Sequence, residues 1–199
     1  MSPCGWMIPI CLVLSGLLPA LAQAPETPDA AFFAQDPKVL MRLCADEALR
    51  LKARDSHLVA EYGDTMLALG DRKKAEEAFS RALERKPNDP QTRRLIALAW
   101  LRHGFLPEAL RTYEAMVTLD LSGRYENRKN LFTKAAVDLL VAGQVKVAAD
   151  YMERGFLLDK SDAANFLEFG RAALQVGEKD LAALYFTRAT KADPKDVDT

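Results

Sequence analysis

Residues 70–87 read GDRKKAEEAFSRALERKP, one helix-length segment held between a glycine and a proline. Its glycine, small and aromatic positions recur downstream with a nearly fixed period. Aligned from Ser56 on a 34-residue period, the chain falls into blocks 56–89, 90–123, 129–162 and 163–196. In each block a first helix is predicted to end at Gly70, Gly104, Gly143 or Gly177, where glycine can take the left-handed conformation that stops a helix. A second helix then turns back along the first.

Small residues stand where the two helices of such a hairpin must approach. Gly63, Ala97, Ala136 and Gly170 on the first helices are expected to face Ala75, Ala109, Ala148 and Ala182 on the second. Tyr62, Ile96, Ala135 and Phe169, with Phe79, Tyr113, Met152 and Phe186, supply the apolar knobs of the core. The pattern over residues 56–196 resembles the tetratricopeptide repeat family, most closely in ALGDRKKAEEAFSRALERKP and QVGEKDLAALYFTRATKADP. The resemblance implies an all-α fold, a right-handed α-solenoid of antiparallel helix pairs. About four repeats are expected, plus an amino-terminal half-repeat.

Between the second and third blocks lie five extra residues, 124–128 (RYENR), so Gly104 and Gly143 are 39 residues apart. They are expected to lengthen the next first helix by about one and a half turns. Arg124, Arg128 and Lys129 would then form a small basic knob or a solvated helix end. Upstream, Asp36-Pro37 reads as an N-cap followed by proline at the first helical position, opening a capping helix within residues 36–55. Its burial stripe is expected to be Leu40, Leu43, Cys44, Glu47, Ala48 and Leu51. Cys44 reads as a packed small hydrophobe. At the other end no helix is predicted beyond the last block, so Tyr185, Phe186 and Ala189 are expected to stay open and to dock on another subunit or protein.

Residues 1–22 carry no charged side chain, and 6–18 (WMIPICLVLSGLL) are almost wholly apolar. Small-x-small sites at 20–22 and 22–24 follow, which reads as an export signal cleaved near 22 or 24. The alternative is an uncleaved membrane anchor. After cleavage no stable membrane span is expected. Residues 23–35, rich in proline and alanine, read as a tether, and Cys44 would be the single cysteine left in the mature chain.

The composition is globular, with 49% hydrophobic and 28% charged residues, and the formal net charge of -1 gives no pull toward nucleic acid or an anionic membrane. His57 and His103 are the only histidines and stand at no metal-ligand spacing. There is no P-loop, no GxGxxG and no GxSxG, so neither an enzyme, a metal nor a cofactor is expected. The resemblance implies a concave groove lined by first helices. By period, that groove takes Asp64, Leu67, Arg94, Leu98, Leu101, Arg102, Val137, Leu140, Leu167 and Arg171, with Ala60, Thr133 and Leu174 beside them. Asp64, Leu98 and Val137 stand where the family's two-carboxylate clamp would need Asn or Lys, so chaperone-tail binding is not implied. A leucine floor with basic points at Arg94, Arg102 and Arg171 suits an apolar segment with acidic flanks.

Together these features predict an exported, non-catalytic scaffold for protein partners, most simply in the periplasm and within an envelope assembly. The competing readings are a periplasmic chaperone holding unfolded clients and a regulatory subunit of an envelope enzyme.

Overall fold

The computed structural model describes residues 35–119, 128–158 and 163–193. Over these residues the chain forms nine α-helices and no strand: α1 (Pro37–Leu51), α2 (Ser56–Ala68), α3 (Arg72–Arg85), α4 (Pro90–Arg102), α5 (Leu106–Val117), α6 (Arg128–Val141), α7 (Val145–Phe156), α8 (Ala163–Gln175) and α9 (Lys179–Ala192). The export signal and almost all of the tether fall on residues outside the described ones, as do 124–127 of the insertion. No described helix is long and apolar enough to cross a membrane.

The chain divides within α1, between Leu40 and Met41, into two units. In the first unit Asp36 caps the helix as its sequence suggests, its Oδ1 accepting from the Lys38 amide at 2.7 Å.

In the second unit four helix hairpins, α2–α3, α4–α5, α6–α7 and α8–α9, follow one another, and the first helices lie side by side in the order α2, α4, α6, α8. The chain is thus an α-solenoid of helix pairs. Each hairpin turn uses its glycine in the left-handed region, with φ of 80°, 81°, 77° and 89° at Gly70, Gly104, Gly143 and Gly177. In every turn the residue after the glycine donates back across the helix end: Asp71 to the Met66 carbonyl at 2.8 Å, Phe105 to Trp100 at 2.9 Å, Gln144 to Leu139 at 2.9 Å and Glu178 to Ala173 at 2.9 Å. That six-to-one bond satisfies a terminal carbonyl and reverses the chain sharply. Asp55, Asp71 and Asp89 cap the helices that follow them through side-chain oxygens.

The core runs through all four hairpins. The alanines at the crossing points, Ala75, Ala97, Ala109, Ala136, Ala148 and Ala182, are all buried. Two glycines depart from the alanine-facing expectation. A Cβ built on Gly63 would meet the Phe79 ring at 2.3 Å, and one on Gly170 would meet Phe186 at 2.7 Å, so in both hairpins the missing side chain makes room for an aromatic ring. Tyr62 is a core knob only in part: it is half-buried, and its hydroxyl donates to Asp46 of α1 at 2.8 Å. Burial and that carboxylate push its pKa up to about 12.

Along the second helices, arginines staple repeat to repeat over aromatic rings. The Arg72 guanidinium lies 5.3 Å from the Trp100 ring centre and 4.7 Å from that of Phe105, and reaches Glu108 at 2.9 Å. Arg154 binds Glu114 through both nitrogens and lies over Phe132 and Tyr151. Arg188 pairs with Glu153 and lies over Phe156 and Tyr185. Aromatic faces hold each cation where its carboxylate can reach it.

Two expectations are corrected. The face of α1 that packs on the core is Ala45 and Leu49, not the stripe through Leu43 and Leu51, which are 47% and 42% exposed, and no residue of α1 is fully buried. Arg42, paired with Asp71 at 3.3 Å, and Asp46, bonded to Tyr62, turn that face inward. At the far end Tyr185 and Ala189 are buried within their own repeat and Phe186 is half-buried, so the three expected open residues do not make an open apolar face. Arg128 opens α6 and is exposed, as a solvated helix end would be, and its Nη2 donates to the Leu119 carbonyl at 3.3 Å.

Candidate partner-binding face

The row of first helices is held together by a different set of polar contacts at each seam. Between α2 and α4, Ser56 and Thr92 are both buried with their hydroxyls 3.4 Å apart, and His57 Nε2 lies 3.0 Å from Asp89 Oδ2. One carboxylate, Asp64, takes both Arg102 Nη1 at 2.6 Å and His103 Nε2 at 3.0 Å. Burial opposes ionisation of Asp89, but the Thr92 hydroxyl and amide and the His57 ring outweigh it, so its carboxyl sits below the usual range.

Between α4 and α6, next to the insertion, the helices lie together more loosely than at the other two seams. One network bridges them. Arg94 donates from Nε and Nη2 to the two oxygens of Asp138, both at 2.7 Å, and the Tyr113 hydroxyl donates to Asp138 Oδ2 at 3.1 Å. Only 7% of the Asp138 side chain is exposed, so its charge is held by these partners rather than by water. Hydrogen bonding to Asp138 outweighs the burial of Arg94 and raises its pKa, while burial, followed by the charge of Asp138, drives the Tyr113 phenol well above its ordinary value. Between α6 and α8 a neutral bond, Asn165 Nδ2 to Asn130 Oδ1 at 3.1 Å, takes this role.

These seams sort the ten groove candidates. Leu67 and Leu140 are buried, as are Ala60 and Thr133, and serve packing. Leu98, Leu101, Val137 and Leu167 are half-buried. Two of the three basic points are engaged from within the chain, Arg94 by Asp138 and Arg102 by Asp64. Arg171 is exposed and has no carboxylate partner among the described residues. Leu174 is 55% exposed.

Period reasoning missed Val141, which is 63% exposed and stands at the period position of Arg102. It also missed Asp138. The signal was available: Asp138 falls at the place held by Ala99 and Ala172, both buried, which marks a buried acid in need of a cation. Among the described residues no group of three His, Cys, Asp or Glu side chains could hold a metal ion. Among the described residues the face can offer apolar contact and, at Arg171, a guanidinium that no described carboxylate pairs with.

Compared with solved structures, the chain is similar to MamA, with 14% identity over 87% of this chain and 100% of that one and a TM-score of 0.43. It is also similar to YrrB, a TPR protein with an unusual peptide-binding site, with 21% identity over 75% of each chain and a TM-score of 0.37. A comparison with curated proteins found no match. The family model for the tetratricopeptide repeat matches residues 63–123 and 133–197. Those two stretches make up more than half of the chain, and the hairpins within them keep the glycine turn and the alanine crossings of the repeat; the chain belongs to the tetratricopeptide repeat family.

Proposed function

We propose that this protein is an exported, non-catalytic scaffold that binds a segment of a partner protein across α2, α4, α6 and α8, within a bacterial envelope assembly. Tetratricopeptide arrays are protein interaction modules. The observation that carries the reading is the half-open apolar row on the first helices, Leu98, Leu101, Val137 and Leu167, left between polar groups that satisfy one another inside the chain. Apolar side chains at half exposure gain from being covered, at about 25 cal/mol per Å² removed from water.

Export is supported by the uncharged, apolar start of the chain and its small-x-small sites. Two experiments test the function. Residues 1–35 fused to a phosphatase that is active only outside the cytoplasm should give activity; an inactive fusion refutes export. The tagged full chain, purified from the envelope fraction, should carry one protein in stoichiometric amount. The double variant Leu98→Asp, Val137→Asp should lose that protein while melting as a folded helical array, and undiminished co-purification would refute the groove.

A further inference from the structure

Across the four first helices, residues at one period position form a row: Asp64 on α2, Leu98 on α4, Val137 on α6 and Arg171 on α8. The row reads acid, apolar, apolar, base. Its two ends are not equivalent. Asp64 is claimed by Arg102 at 2.6 Å and His103 at 3.0 Å, whereas Arg171 is exposed and no described carboxylate pairs with it. Glu168, one turn before Arg171 on the same helix, forms no ion pair with it.

The middle of the row is apolar for a reason visible at the neighbouring seam. Where Asp64 meets Arg102 between α2 and α4, the same two positions between α4 and α6 are Leu98 and Val141. An ion pair has been replaced by two hydrophobes, one of them 63% exposed. The Arg94–Asp138–Tyr113 network bridges the seam one turn earlier on both helices, and beyond it Val141 is 63% exposed and Leu98 partly exposed.

We infer that this row recognises a short apolar segment of a partner protein that carries an Asp or Glu side chain at one end only, the end that lies on α8. The inference rests on the groove reading above and adds the partner's chemistry and polarity. Neighbouring helices stand about 8–10 Å apart, so α4 to α8 spans about 20 Å. At about 3.3 Å per residue, six extended residues cover it. Apolar side chains meet Leu98, Val141 and Val137, and the carboxylate meets Arg171. At the other end Asp64 is already neutralised, so a cationic flank gains nothing there.

The test uses the full chain, with isotope-labelled leucine and valine methyl groups, and two blocked six-residue peptides of alternating leucine and valine that end in glutamate or in lysine. The glutamate peptide should bind at least tenfold tighter and shift the methyl signals of Leu98, Val137 and Val141. Arg171→Glu, at an exposed position, should reverse the preference. Equal affinities, no binding by either peptide, or shifts confined to Leu157 and Leu184 outside the row would overturn the inference. So would tight binding of an unblocked peptide whose only acid is its terminal carboxylate, matched by no binding of the blocked glutamate peptide. A co-purified partner that is lost with Leu98→Asp, Val137→Asp yet indifferent to Arg171→Glu would overturn this inference alone and leave the groove standing.

Discussion

Gly63 shows how much a single missing Cβ decides in this chain. The Phe79 ring that fills its place is 4% exposed and packs edge-on against Trp100 with ring centres 5.1 Å apart, so it cannot swing aside. Gly63→Ala should therefore destabilise by about 1–3 kcal/mol in thermal or urea unfolding. Gly170→Ala meets the same geometry against Phe186, but that ring is half-buried and can tilt outward, so the cost should be smaller. Equal losses would contradict this account of the two rings. Asp89 carries a second residue-level prediction. It caps α4 through the Thr92 amide at 2.8 Å and also meets His57, and Asp89→Ala should cost about 1 kcal/mol at neutral pH. Its folded pKa is depressed, so its contribution is complete above the ordinary carboxyl value of about 4 and is lost as pH falls through the lower, folded value. Urea melts of wild type and variant should converge as pH is lowered through that window.

At the scale of helices, the seam between α4 and α6 is the place where period and structure part. The phase of the glycine turns, the alanine crossings and most of the core knobs were legible, because a repeat that stacks on copies of itself constrains side-chain size at fixed positions. Arg94 and Asp138 were not paired from sequence because they lie 44 residues apart across the insertion, outside the 34-residue frame that made the rest readable. The inward face of α1 was misread for a related cause: this helix stands alone, and Arg42 and Asp46, reaching Asp71 and Tyr62, set its rotation more than its leucines do. In the candidate face, position along the period was legible but availability was not, since an arginine and its carboxylate look the same in sequence whether paired or free. Asp138→Ala should cost about 3 kcal/mol, leaving the Arg94 guanidinium and the Tyr113 hydroxyl without their acceptor. Replacing both charges, Arg94→Leu with Asp138→Leu, should recover most of it. A double variant no more stable than Asp138→Ala would show that the pair itself, rather than the stranded cation, holds the seam.

For the whole molecule, the chemistry is divided between two layers. The second helices carry the arginine staples over aromatic rings and the solvated charges, and so stabilise the stack. The first helices carry the exposed Val141 and Leu174 and the exposed Arg171, with which no described carboxylate pairs, and so offer a partner apolar contact and charge; Leu157, just past α7, and Leu184 on α9 are exposed apolar side chains of the other layer. The central claim is that partners meet the first-helix layer. Site-specific photocrosslinking in intact cells tests it most directly, with the reactive group placed at Val141 on the first-helix face or at Glu77, exposed on α3. One discrete protein adduct from Val141 and none from Glu77 is the predicted result; adducts from Glu77 alone, or the same adducts from both positions, would contradict it.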